Sequence, residues 1–229
     1  MKSISIAFII FTLALLSFST YQALVVAPTE ATMGEVQRIF YYHVPSAWVA
    51  GLCFFVNFLA SITYLINRKP NADAMAAASA EVGVVFCTIV LITGPIWARP
   101  VWGIWWTWDA RLTTTLVLWL IYVSYLVLRR FAAGSQTQVL SAVLGIFGFV
   151  DVPIVYMSIR WFRTQHPSPV MGGGESSGLA PAMLQAFLWN LLAFTCLGVA
   201  FVMARYHLQK VENQVESEHA QLALQGGTR

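Results

Sequence analysis

Six stretches of this chain are long and apolar enough to cross a bilayer, and this constrains the fold more than any other feature. A spanning helix needs about 20 mostly apolar residues, because hydrocarbon offers no water to satisfy an unpaired backbone group. The stretches run from about 5 to 26, 46 to 67, 78 to 97, 112 to 128, 139 to 158 and 182 to 204. Only 10% of residues are charged, against about a quarter in soluble domains. The expected class is an all-α integral membrane protein: a bundle of six transmembrane helices with outer-surface loops or short interfacial helices. Residues 1–204 then form one membrane domain. Residues 205–229, with Glu212, Glu216 and Glu218, read as a polar cytoplasmic tail, a short solvated helix that frays into disorder. The first span could pass for a signal peptide, but its apolar run is long for one and no clear A-x-A site follows. Pro45 sits where the first turn of the second span tolerates it, and the third span is expected to stop before Arg99-Pro100.

Basic residues in short loops set orientation. With the N-terminus in the cytoplasm, Lys2, Arg68, Lys69, Arg129, Arg130, Arg205, Lys210 and Arg229 lie inside, and Arg38, Arg99, Arg111, Arg160 and Arg163 outside. Both termini are then cytoplasmic. Cys53, Cys87 and Cys196 all fall inside apolar runs and form no C-x-x-C pair, so they read as small buried hydrophobes.

This topology gathers unusual residues on the outer side. Four of the nine tryptophans, Trp102, Trp105, Trp106 and Trp108, fall in one short segment that ends at Asp109. As a helix it would put Trp102, Trp105, Trp106 and Asp109 on one face, with Trp108 elsewhere. An interfacial aromatic belt is the plain alternative. His43, in Tyr41-Tyr-His-Val-Pro45, is expected in the first outer loop, and His166, in Thr164-Gln-His-Pro167, in the third. His207 and His219 fall on the inner side. Either outer histidine alone reads as an interfacial polar residue. Together, beside an indole platform, two neutral imidazoles suit the two axial positions of one haem iron. Arg99, Arg111, Arg160 and Arg163 are then candidate partners for the two propionates. A zinc site is the rival, but it usually takes three or four protein ligands and gains nothing from a tryptophan face. C-x-x-C-H, the signature of covalent haem attachment, is absent, so haem b would be held non-covalently and transiently. Glu81 and Asp151 are the carboxylates expected within spans, functional candidates or internally bonded helix contacts. The run Gly172–Gly174 reads as a flexible outer loop that would let His166 move as haem enters or leaves.

At Thr93-Gly-Pro-Ile-Trp-Ala-Arg-Pro-Val-Trp-Gly-Ile-Trp-Trp-Thr-Trp-Asp-Ala-Arg-Leu-Thr113 and Tyr42-His-Val-Pro-Ser46, the chain resembles the haem-handling family named for its tryptophan-rich WWD signature. Within it the chain is similar to the cytochrome c maturation protein C (CcmC) branch, over nearly its whole length. The resemblance implies that His43 and His166 are axial haem ligands and that Trp102, Trp105, Trp106, Trp108 and Asp109 support the macrocycle. It implies a bacterial inner membrane protein with a periplasmic haem site that loads a periplasmic haem chaperone (CcmE-like). Its companions would be the ATPase and membrane subunits of an ABC transporter (CcmA- and CcmB-like) and a small single-span adaptor (CcmD-like). The chain carries no phosphate-binding loop, in keeping with a separate ATPase. Two other functions compete. One is a transmembrane haem channel, disfavoured because few polar residues line the spans. The other is a membrane b-type cytochrome oxidoreductase, disfavoured because no histidine is expected inside a span.

Overall fold

A computed structural model describes residues 3–132, 136–167 and 179–226. The described residues form a helical bundle: α1 (Ser3–Tyr21), α2 (Phe40–Asn67), α3 (Pro70–Trp102), α4 (Ala110–Phe131), α5 (Thr137–Phe149), α6 (Asp151–Trp161) and α7 (Pro181–Gly226). Short π and 3-10 turns, Gln22–Val26 and Glu35–Ile39, end α1 and lead into α2. With α5 and α6 counted as one rod, six helical segments are long and apolar enough to cross a membrane. Large apolar side chains such as Ile10, Val25, Phe55, Val85, Ile92 and Phe147 cover the outside of the bundle, as a lipid-facing surface requires.

The interior is built from small and aromatic residues. Arg68, in the left-handed region at φ 55°, closes α2, and Pro70 opens α3, so a two-residue turn folds them back on each other. Ala74, Ala76, Ala77, Ala78 and Ala80 line the buried face of α3 and let the two backbones approach. Gly83 completes that face, for a Cβ there would lie 2.5 Å from the ring of Phe54. Phe54 is itself stacked on Tyr122 of α4 at 3.8 Å between ring centres. A second cluster, with Phe40, Tyr41, Met183 and Phe187, joins the start of α2 to the start of α7. Arg38 donates to the carbonyls of Ala23 and Ala27, which the end of the π turn leaves without helical partners.

Several boundaries differ from expectation. α2 begins at Phe40, not near Ser46, so Pro45 lies inside the helix rather than in its first turn. Burial of Phe40 and Tyr41 in the second cluster outweighs the one hydrogen bond that proline removes. α3 runs through Arg99 and Pro100 to Trp102 and stops only at Gly103, whose φ of 78° provides the left-handed cap. The fifth span is broken at Val150 between α5 and α6. Pro153 explains the break, since its ring conflicts with the carbonyl four residues earlier. Asp151 sits at this joint with one carboxylate oxygen buried and unbonded.

The charges within the bundle are mostly paired. Glu81 of α3 is bonded to Arg205 of α7, which favours the helix-contact reading of that carboxylate. Asp73, which the hydropathy pattern did not single out, is buried in a two-pronged pair with Arg129 of α4 at 2.6 and 2.8 Å. The polar stretch beyond residue 204 continues α7 as one unbroken helix to Gly226. Lys2, Arg229 and the glycines Gly172–Gly174 lie outside the described residues.

Candidate functional site at the Trp-rich end of the bundle

His43 is not in a loop. It lies in the first turns of α2 with 8% of its surface exposed. The absence of histidine from the spans, used above against a b-type cytochrome, therefore does not hold for His43. Burial of the flanking Tyr41 and Pro45 turns the imidazole inward against α3. There Nδ1 is 2.8 Å from the Thr93 hydroxyl, and the edge of Trp97 meets the ring at 5.8 Å between centres. Gly94 leaves room on the Cε1 side, where an added Cβ would make ordinary contact at 3.5 Å.

His166 comes from the non-helical segment after α6. Its backbone N–H donates to the Thr164 hydroxyl, and its Nδ1 lies 2.9 Å from the Pro167 carbonyl. A carbonyl can only accept, so Nδ1 carries the proton and Nε2 keeps its lone pair. Burial, and then the positive charge of Arg111, push this imidazole down to about 4, against a smaller upward pull from the Pro167 carbonyl and Asp109. His43, His166 and Arg111 all lie within electrostatic reach of one another. The bundle thus brings together two imidazoles far apart in the chain.

The tryptophan segment does not form the expected single helical face. Gly103 ends α3, and residues 103–109 are non-helical before α4 starts at Ala110. Trp102 closes α3. Trp105 and Trp108 stand 59% and 76% exposed, while Trp106 is half-buried, edge-on to Trp108 at 5.7 Å, with a buried and unbonded indole N–H. Asp109 is the N-cap of α4, accepting from the Leu112 N–H at 3.0 Å. Its other carboxylate oxygen accepts from Thr164 at 2.9 Å and from Thr107 at 3.3 Å. Asp109 therefore joins the tryptophan segment to the segment that carries His166.

The four candidate arginines differ in setting. Arg111 donates to the Val155 carbonyl of α6, and Arg99 to the Gly103 carbonyl. Arg160 lies 5.0 Å from the centre of the Tyr156 ring, and Arg163 is exposed. Arg111 alone is placed by its electrostatic contacts beside both imidazoles. Thr93, Trp97 and Thr164 went unrecognised in the sequence. Thr93 and Trp97 meet His43 only through the packing of α2 on α3, which leaves no local signal. Thr164, two residues before a histidine, is the kind of turn-forming residue that pattern reading can find.

A family description, CcmC: Heme exporter protein C, matches residues 1–221. The heme exporter protein C of Bradyrhizobium diazoefficiens is 36% identical over 208 residues, covering 90% of this chain and 78% of that protein. That of Escherichia coli K12 is 33% identical over 186 residues, 78% of this chain and 72% of the other. That of Haemophilus influenzae is 30% identical over 213 residues, 91% and 85% of the two. With a match of this length and a six-span helical architecture, the chain belongs to the heme exporter protein C family, multi-pass membrane components that handle haem in cytochrome c biogenesis as transport and delivery proteins rather than catalysts.

Proposed function

We propose that this end of the bundle is a haem-loading site, in which His43 and His166 each offer Nε2 as an axial ligand. One observation carries the reading: a buried imidazole, His43, and a partly buried one, His166, lie within electrostatic reach of each other, each with Nδ1 already engaged by an oxygen. Ligating histidines usually have this arrangement, because the bond at one nitrogen orients the ring and strengthens the other as a donor. The residues fit haem in other respects too. The exposed indoles of Trp105 and Trp108 are apolar faces suited to an edge or face of a porphyrin. The unbonded N–H groups of Trp97 and Trp106 are donors in want of an acceptor. Arg111, and then Arg99, Arg160 and Arg163, are the cations for two propionates. Haem when bound supplies the iron that the imidazoles ligate and the vinyl edge that is passed on.

The chain's own part is to bind, orient and release. Without a C-x-x-C-H motif it forms no thioether, so the haem b is held non-covalently and can leave. Its recipient is a periplasmic haem chaperone of the CcmE type. Its companions are an ABC transporter with CcmA- and CcmB-like subunits, which supplies the ATPase, and a CcmD-like adaptor. The location is the bacterial inner membrane, with both termini cytoplasmic and the histidine site periplasmic. Residues 1–204 make up the membrane domain and the remainder of α7 a cytoplasmic extension.

The test is the spectrum of the purified protein. Wild type is expected to show low-spin bis-imidazole haem, lost in the His43→Ala, His166→Ala double variant. Retention of that signature in the double variant would defeat the proposal.

A further inference from the structure

The Thr93 hydroxyl stands between two groups that compete for its single proton. Oγ1 is 2.7 Å from the Ile89 carbonyl of its own helix and 2.8 Å from His43 Nδ1. The carbonyl can only accept, so it takes the hydroxyl proton, and toward His43 the oxygen is left as an acceptor. A neutral imidazole facing an acceptor at Nδ1 must carry its proton there. Its Nε2 is then unprotonated and free to ligate. With the opposite tautomer Nε2 would bear a hydrogen and could not bind a metal. Trp97, edge-on to the same ring, packs against it, Gly94 leaves space beside Cε1, and the hydroxyl selects the tautomer. Thr93, Gly94 and Trp97 share the outer end of α3, so one helix presents the whole cradle.

We propose that Thr93 is a positioning residue for His43, holding it as the Nδ1–H tautomer and raising the donor strength of Nε2. His166 obtains the same tautomer from a backbone carbonyl, which no side-chain substitution removes. Thr93 is thus the point at which a side chain tunes one axial ligand and not the other. The role in ligation rests on the haem-loading reading above, but the tautomer does not depend on haem.

The test uses the full-length protein and three forms: wild type, Thr93→Val, which keeps the shape and loses the acceptor, and Thr93→Ser, which restores the hydroxyl. In the haem-free protein with 15N-labelled histidine, the His43 signals are assigned by their loss in His43→Ala. They are expected to report protonated Nδ1 and bare Nε2 in wild type and Thr93→Ser, and a mixed or reversed tautomer in Thr93→Val. With haem bound, Thr93→Val is expected to weaken affinity roughly 10- to 100-fold, the usual effect of losing such a partner. It should also shift the midpoint potential upward, because a poorer donor stabilises ferric iron less, and Thr93→Ser should restore both. An unchanged His43 tautomer in Thr93→Val overturns the proposal, as does an unchanged potential and affinity. A wild type without low-spin haem overturns the haem-loading reading instead, while the haem-free spectra still decide the tautomer.

Discussion

His166 shows how one side chain's surroundings set the conditions under which a site works. An ordinary histidine is half protonated near pH 6.5. Burial and Arg111 favour the neutral ring and bring this one to about 4. In the proposed haem site the neutral ring is the ligand, so a lowered value extends ligation to more acidic pH. The low-spin haem signature is expected to hold from pH 7 to pH 5.5 and to collapse only toward pH 4. A pH titration of the absorption spectrum with a midpoint near 6.5 would contradict this. Asp109 is the other residue whose role depends on its neighbours. It caps α4 with one oxygen and holds Thr164 with the other. Asp109→Ala is expected to cost about 1 kcal/mol through the lost cap and in addition to loosen His166. Thr164→Val should cut the same tether, so the haem-binding losses of the two variants are expected to be less than additive in a double-mutant cycle. Full additivity would mean that Asp109 acts only as a cap.

At the scale of elements, the positions where pattern reading and the structure part are those where packing overrides local preference. The indole spacing of Trp102, Trp105 and Trp106 is compatible with a helix, yet Gly103 interrupts it. The unwound segment then lets Asp109 serve α4. Helix α2 extends through its proline because Phe40 and Tyr41 are buried with Ala23 and Ala27 of the π turn and its end and with the start of α7. α3 and α4 are held at their other end by Asp73 and Arg129, with the guanidinium also 5.8 Å from the Tyr125 ring. Breaking a buried pair leaves one charge without a partner. Asp73→Ala is expected to lower stability by about 3–5 kcal/mol, while the double replacement Asp73→Leu, Arg129→Met should cost much less. Thermal unfolding in detergent reads both, and equal losses would show that the pair's own attraction, not the stranded charge, dominates.

For the whole molecule, the architecture puts the adjacent basic pairs of the short turns at one end and the tryptophan segment, with its scattered arginines, at the other. Arg68, Lys69, Arg129, Arg130 and Arg205 lie at the end where α2 turns into α3 and α4 ends. His43, His166 and the tryptophan segment lie at the opposite end of the same helices. The positive-inside bias therefore predicts that a reporter fused at Asn71 reports the cytoplasm and one fused at Ile104 the periplasm. The reverse result would put the histidine pair on the wrong side for any periplasmic recipient. The break at Val150 and the unbroken run of α7 through Gly226 give the two ends different connections, but they leave the number of crossings unchanged.

The sequence by itself determined the number and approximate position of the spans, because an unpaired backbone group in hydrocarbon is so costly that long apolar runs have no other stable form. It also marked His43, His166 and the tryptophan segment as the unusual residues, since side chains costly to bury or to expose stand out against an apolar background. Only the tertiary structure decided what each of them touches. Thr93 lies 50 residues from His43 in the chain, and Thr164 lies 55 from Asp109; contacts at such separations arise from which helix faces pack together. The same packing decided that His43 is helical and buried, that Asp109 is a cap and a tether, and that Asp73 has a partner, because each depends on a neighbour that hydrophobic periodicity along one helix does not specify.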